Sequence, residues 1–221
     1  MSAAGIALVL TEALLLASEG RHCFPCLATK RPASPHGFKD ATDNPKELQA
    51  LWLKYPGELI GVSTGSISGI DVLDLDVKHP EAKAWWQDNR HQFPRTRVHR
   101  TRSGGLHLYF KHHDGVRCTT SKIALGVDTR GAGGYVIWWP ATGLPILLDA
   151  PVALWPEWFL SELRPKPRPS TPVARVPSHH FIAKLVHLVA AASEGERNSL
   201  TYWAASRLEA MNHGRSGAVI L

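Results

Sequence analysis

At 221 residues the chain is long enough for one well-filled core, with room for a small second unit. Hydrophobic residues make up 44% and charged residues 20%, which excludes wholesale disorder. A balance of 25 Lys+Arg against 19 Asp+Glu gives a net charge of +6 and favours phosphate-rich partners without identifying one.

The first apolar run, Ile6 to Ala17, carries Glu12, lacks a basic leader and is too short to span a bilayer. It reads as a core helix closed by Gly20, with a short strand over 22–24 after it, and the chain is expected to be cytoplasmic with no membrane contact. Cys23, Cys26 and Cys118 cannot make a paired framework, and the single CxxC has no second pair at zinc-finger spacing, so reduced thiols are expected. Asn44 is placed to cap a second helix, Pro45 suits its first position, and Leu48, Leu51, Trp52 and Tyr55 form its buried stripe.

Strand patterns follow at 59–63, 70–77, 96–101, 106–111, 123–128 and 135–139, with a helix at 80–89. Many neighbouring strands without regular helix alternation predict an α+β fold, a mixed, largely antiparallel sheet flanked by helices, in preference to a doubly wound sheet. A short helix at 156–163 precedes Arg164-Pro165-Lys166-Pro167-Arg168-Pro169, whose prolines predict an extended spacer. Helices are expected from the Ser178 cap to 192 and from 198 to 212, giving a main domain at 1–163, a linker at 164–177 and a small C-terminal helical segment at 178–221. The uncapped apolar end, Ala218-Val219-Ile220-Leu221, predicts a piece of a longer protein. Of the pairs Trp85-Trp86 and Trp138-Trp139, at least one member each is expected to pack in the core and not stack on bases.

Three segments carry chemistry. In Ile70-Asp71-Val72-Leu73-Asp74-Leu75-Asp76-Val77, strand alternation puts Asp74 and Asp76 on one face opposite Leu73, Leu75 and Val77. Two adjacent carboxylates buried on an apolar strand call for a positive partner, with a divalent cation as one reading; the alternative is that they pair with basic side chains or lie at a strand end in solvent. In Ser103-Gly104-Gly105-Leu106-His107-Leu108-Tyr109, the paired glycines allow close backbone approach, and their amides with Ser103 and His107 suit a phosphate. In Gly126-Val127-Asp128-Thr129-Arg130-Gly131, Ala124, Gly126 and Asp128 are expected to share an open face, against the alternative of a Gly-rich hairpin with Asp128 as a turn residue. A Walker A motif is missing, which excludes a P-loop ATPase.

In this order and spacing the segments resemble the archaeo-eukaryotic primase superfamily, and within it the bifunctional DNA primase/polymerase (prim-pol) N-terminal domains of phages, plasmids and mobile elements. Asp74-Leu75-Asp76 matches the family's paired acids, Ser103 to His107 its small-residue and histidine motif, and Val127-Asp128 through Gly134-Tyr135 its third motif. Lys30-Arg31-Pro32, Gly37 to Thr42 and Gly61 to Gly65 agree as flanking segments, so the resemblance covers about 8–160. It extends weakly to Gly195-Glu196-Arg197-Asn198, which looks like the start of the helical segment that often follows such domains.

The resemblance implies an RRM-like sheet in a primase catalytic core and template-directed nucleotidyl transfer from nucleoside triphosphates. It implies a two-metal site for Mg2+ or Mn2+ held by Asp74, Asp76 and Asp128, with His107 as the fourth catalytic residue. Ser103, Gly104, Gly105, His107, Arg130 and Lys30 would bind nucleotide, while Arg97, Arg100 and Arg102 would either track template or lie on a solvated strand face. Its implied partners are a DNA template and nucleoside triphosphates, with a helicase supplied in cis or in trans. The rival readings are a metal-dependent nuclease, a nucleic-acid-binding module with a decayed site, and a DxD glycosyltransferase. A rolling-circle endonuclease needs two histidines flanking one apolar residue, and His107-Leu108-Tyr109 supplies one.

Overall fold

The computed structural model describes residues 3–164, 179–192 and 197–212, and the chain divides into two compact units, Met1–Pro165 and Lys166–Leu221. The first unit is α+β and carries two antiparallel sheets where the sequence suggested one. The smaller sheet has the order β1-β2-β7, from Cys23–Cys26, Leu59–Ser63 and Tyr135–Ile137. The larger has the order β6-β3-β5-β4-β8, from Val127–Arg130, Ile70–Leu75, Leu106–Lys111, Val98–Arg100 and Ile146–Leu148.

Helices close the apolar faces. Helix α1 (Ala3–Ser18) and α2 (Pro45–Lys54) cover a core in which Ala13, Leu16, Leu48 and Trp52 meet Ile60, Val62, Val72 and Tyr109. Asn44 caps α2 as expected, its Oδ1 accepting from the amides of Lys46 and Glu47 at 3.0 and 3.4 Å. Helices α3 (Pro80–Asn89) and α4 (Glu157–Leu163) cover the opposite face of the larger sheet, where Leu73, Leu75, Leu108 and Phe110 pack against Ala82 and Phe159. Trp155 stacks between Phe110 and Phe159, with centroids 4.1 and 5.2 Å away. Trp85 and Trp86 join the same aromatic cluster through Phe93. Cys23 and Cys26 are free thiols on opposite sides of β1, and burial pushes both up to about 12, so neither is a ready nucleophile.

Several boundaries differ from expectation. The strand expected at 123–128 is Val127–Arg130, because Gly126 takes the left-handed φ of 78° and the Val127 amide turns back to Ala124 O at 3.0 Å. Ala124, Gly126 and Asp128 therefore do not share a strand face. Strand β3 stops at Leu75, although the Asp76 amide still donates to Gly126 O at 2.8 Å in the register of the β3–β6 pair. Strand β4 keeps three residues of the expected 96–101, and Trp139 opens a short 3-10 turn, Trp139–Thr142. Strand β8 has only three residues, two of them exposed, and no alternation to announce it.

The second unit contains α5 (His179–Ala190) and α6 (Arg197–Asn212), which bury Leu185 and Ala204 and flank an apolar groove lined by Ile182, Val186 and Leu208. The expected linker, the Ser178 cap and Gly195-Glu196 lie outside the described residues. Among the described residues no helix is long and apolar enough to cross a membrane.

Candidate active site

Strand register builds the site. Asp74 in β3 stands directly opposite Asp128 in β6 on one side and His107 in β5 on the other, and His107 in turn stands opposite His99 in β4. Directly paired residues of neighbouring strands project to the same face. Asp128, Asp74, His107 and His99 thus form one row across four strands, brought together from a stretch of 54 positions of sequence between Asp74 and Asp128. The first three open into a cleft of about 560 Å3, which is also lined by Asp76, Ser103, Arg130 and Lys30.

Arg130 holds the acidic end of the row together. Its Nη2 donates to Asp128 Oδ2 at 3.0 Å and reaches Asp74 Oδ2 at 3.5 Å. Two residues beyond Asp128 on a strand is the same face, so alternation from Asp128 carries the signal for this contact. His107 Nε2 lies 3.5 Å from Asp74 Oδ1 on the other side. Burial acts to raise the Asp74 pKa, but His107 and Arg130, through hydrogen bonding and charge, outweigh it and hold the carboxyl below the usual carboxylate range. The remaining oxygen of Asp128 accepts from the Ser121 amide at 2.7 Å, which fixes the carboxylate's orientation. Asp76 sits just past the strand end, its Oδ1 accepting from the Lys78 amide at 3.2 Å.

Ser103 lines the cleft and shares a 3.1 Å hydrogen bond with Thr101. The two glycines beside it play a different part from the one expected. The Gly104 amide donates to Thr101 O at 3.0 Å and its φ is 88°, so it closes a tight turn and does not point to the cleft. A Cβ on Gly105 would run into the Leu75 carbonyl oxygen, so this glycine lets the β4–β5 turn lie flat on the end of β3. The pair shapes the site without lining it.

Arg97 pairs with Asp149 at 2.7 Å, Arg100 donates to Gly104 O at 3.1 Å and Arg102 to Ala28 O at 2.9 Å. All three expected template contacts therefore have intramolecular partners. Sequence reasoning missed the aromatic wall of the cleft. Phe38 and Tyr135 stack at 6.5 Å, and Trp139 is faced by the Lys30 ammonium at 5.4 Å and the Arg102 guanidinium at 5.2 Å. Trp138 and Trp139 are both buried in core clusters, in keeping with the expectation that at least one of the pair packs. Lys30 has a left-handed φ of 71°, and its carbonyl accepts from the Tyr135 hydroxyl at 3.1 Å.

The fourth member of the row, His99, is fully buried, and burial together with the positive fields of His107 and Arg97 pushes its pKa down to about 3. Between that value and the ordinary 6.5, the unfolded chain binds a proton that the folded chain refuses. The stability that a neutral His99 contributes is complete above pH 6.5 and is lost as pH falls toward 3, at about 1.4 kcal/mol per pH unit. Urea unfolding should show His99→Phe gaining on wild type as pH drops below 6.5, whereas a difference independent of pH contradicts the assignment.

A family model described as bifunctional DNA primase/polymerase, N-terminal, matches residues 13–170. No curated protein matches the chain. The matched span contains both sheets and every residue of the cleft, and covers well over half of the sequence. The chain belongs to the bifunctional DNA primase/polymerase N-terminal family, a DNA primase/polymerase nucleotidyltransferase family.

Proposed function

We propose that this cleft carries out template-directed nucleotidyl transfer, joining a 3′-hydroxyl to the α-phosphate of a nucleoside triphosphate with release of pyrophosphate. The observation that carries the reading is the convergence of Asp128, Asp74 and His107 in one cross-strand row beside Asp76. A replication role in a phage, plasmid or mobile element, with a helicase acting alongside, is part of the same proposal.

The donor set suits Mg2+ or Mn2+, since three carboxylates supply hard oxygen ligands from one wall. Among the described residues no three acidic, histidine or cysteine side chains close on one point, and the Arg130 guanidinium stands between Asp74 and Asp128. Asp74, Asp128 and Asp76 would hold such ions, which would supply Lewis acidity for activating the attacking hydroxyl and offsetting charge on the leaving oxygens.

The chain's own residues do the rest by positioning. His107 and Ser103 orient the triphosphate, and Lys30, which also lines the cleft, offers it charge. Arg130 neutralises the two carboxylates in the free protein and turns to the triphosphate on loading. Phe38 and Tyr135 offer flat apolar surface to a base or sugar, with the buried Trp139 ring behind the Lys30 and Arg102 cations.

Arg130→Met removes the cation that competes for Asp74 and Asp128. It should tighten Mn2+ binding, measured by calorimetry without nucleotide, by roughly tenfold, the equivalent of one charge-assisted contact. The same variant should raise the KM for the triphosphate. Unchanged Mn2+ affinity would show that Arg130 and the metal do not share these carboxylates. Cutting of labelled DNA in the absence of nucleotides would favour a nuclease, and DNA binding without incorporation would favour a decayed site.

A further inference from the structure

The row that begins in the cleft does not end there. Beyond His107 it passes into the interior, where His99 and Tyr109 share its face: His99 is the cross-strand partner of His107, and Tyr109 lies two residues further along β5. The three side chains are packed together, with the His99 ring 4.5 Å from Tyr109 and the His107 ring 6.3 Å from it. Trp138 closes the far side, edge-on to His99 at 4.6 Å.

This cluster concentrates unmet polar groups. Among the described residues six buried side-chain nitrogen or oxygen atoms have no hydrogen-bond partner, and four of them are here: both ring nitrogens of His99, Nδ1 of His107 and the Tyr109 hydroxyl. Buried polar atoms are ordinarily satisfied, and a single internal water typically serves about three of them. Clustering on one face of two paired strands points to a shared partner. Three apolar side chains would fill the same volume, so the polar identities call for a reason.

We propose that Tyr109 and His99 are positioning residues for His107, joined through an internal water to its Nδ1, and that they lock the ring with Nε2 turned toward Asp74 and the cleft. The inference rests on the proposed role of His107 in orienting the triphosphate, but its structural part stands apart from that role. Burial keeps the Tyr109 phenol protonated and His99 neutral, so the group has donors and acceptors in fixed supply. Nδ1 of His107 then accepts and Nε2–H donates toward Asp74 Oδ1, 3.5 Å away. A hydrogen-bond partner on the far ring nitrogen commonly sets the tautomer and aim of a functional histidine.

The test is long-range proton–nitrogen NMR of the 15N-histidine-labelled protein, without metal or nucleotide, in mildly alkaline buffer. Wild type should show His107 as a single Nε2–H tautomer. Tyr109→Phe should bring its two ring nitrogen shifts toward each other as the tautomers mix, and His99→Phe should do the same, while His99→Gln, which keeps a donor and an acceptor, restores the wild-type pattern. In incorporation assays Tyr109→Phe should raise the KM for the triphosphate on the order of tenfold with a smaller change in kcat. His107 shifts identical to wild type in folded Tyr109→Phe and His99→Phe would overturn the proposal. If Tyr109→Phe does not fold, the contrast between His99→Phe and His99→Gln decides it. Altered tautomers in a protein that incorporates no nucleotide would leave this inference standing and remove the functional reading instead.

Discussion

Alanine at Asp74 is expected to lower templated nucleotide incorporation by about a thousandfold while leaving the melting temperature close to that of wild type. The carboxylate is the centre of the row, flanked by Asp128 and His107 and reached by Arg130 at 3.5 Å, so its loss removes the shared anchor of the site. Preorganised charge at a reacting centre commonly accounts for about 100- to 1,000-fold in rate per group removed. The cost to folding is small because the Asp74 side chain is 26% exposed and Arg130 retains Asp128 as a partner at 3.0 Å. Thermal melting beside primer extension separates the two effects, and a variant that melts early without a specific loss of synthesis would refute the division.

Asp71→Ala should do the converse. Asp71 lies three residues earlier on the same strand but faces the other way, fully buried, where Oδ1 accepts from His112 Nδ1 at 2.9 Å. Its Oδ2 accepts from the His113 amide at 2.9 Å and Trp155 Nε1 at 3.2 Å. Burial raises this carboxyl's pKa, and the hydrogen bonds from His112, His113 and Trp155 only partly offset that. Alanine would strand three donors in the core and loosen the Phe110-Trp155-Phe159 stack, at a cost of about 3 to 5 kcal/mol. Chemical denaturation should show that loss, and a stability within about 1 kcal/mol of wild type would contradict the structural role assigned to Asp71.

The contrast between Asp71 and Asp74 shows how far the sequence could be read. Alternation alone puts the two on opposite faces and names Asp74 as the one sharing a face with Asp76. It does not show that Asp71 is held by His112 and Trp155, because those partners lie 41 and 84 positions away and depend on strand order. The same limit applies to the row. Asp74, His107 and Asp128 were each visible as chemistry, but their alignment is a matter of register between strands, and nothing local in sequence encodes it.

Glycines misled where their role was conformational. Gly104 and Gly105 looked like a phosphate cradle and instead shape the turn that seats β5 against β3, and Gly126 broke a pattern that alternation had extended back to Ile123. The helices were easier: Asn44 with Pro45 marks the start of α2, and its stripe buries Leu48 and Trp52 as periodicity requires. His99 gave no sign of importance, since a lone histidine in a strand is ordinary until the register sets it beside His107.

The central claim is that the cleft built on Asp74 and Asp128 performs templated synthesis, and primer extension with Mg2+ or Mn2+ tests it most directly. Wild type should extend a primer on a template with nucleoside triphosphates, and the double variant Asp74→Ala/Asp128→Ala, melting like wild type, should add no detectable nucleotide. Extension by the double variant at the wild-type rate would contradict the account.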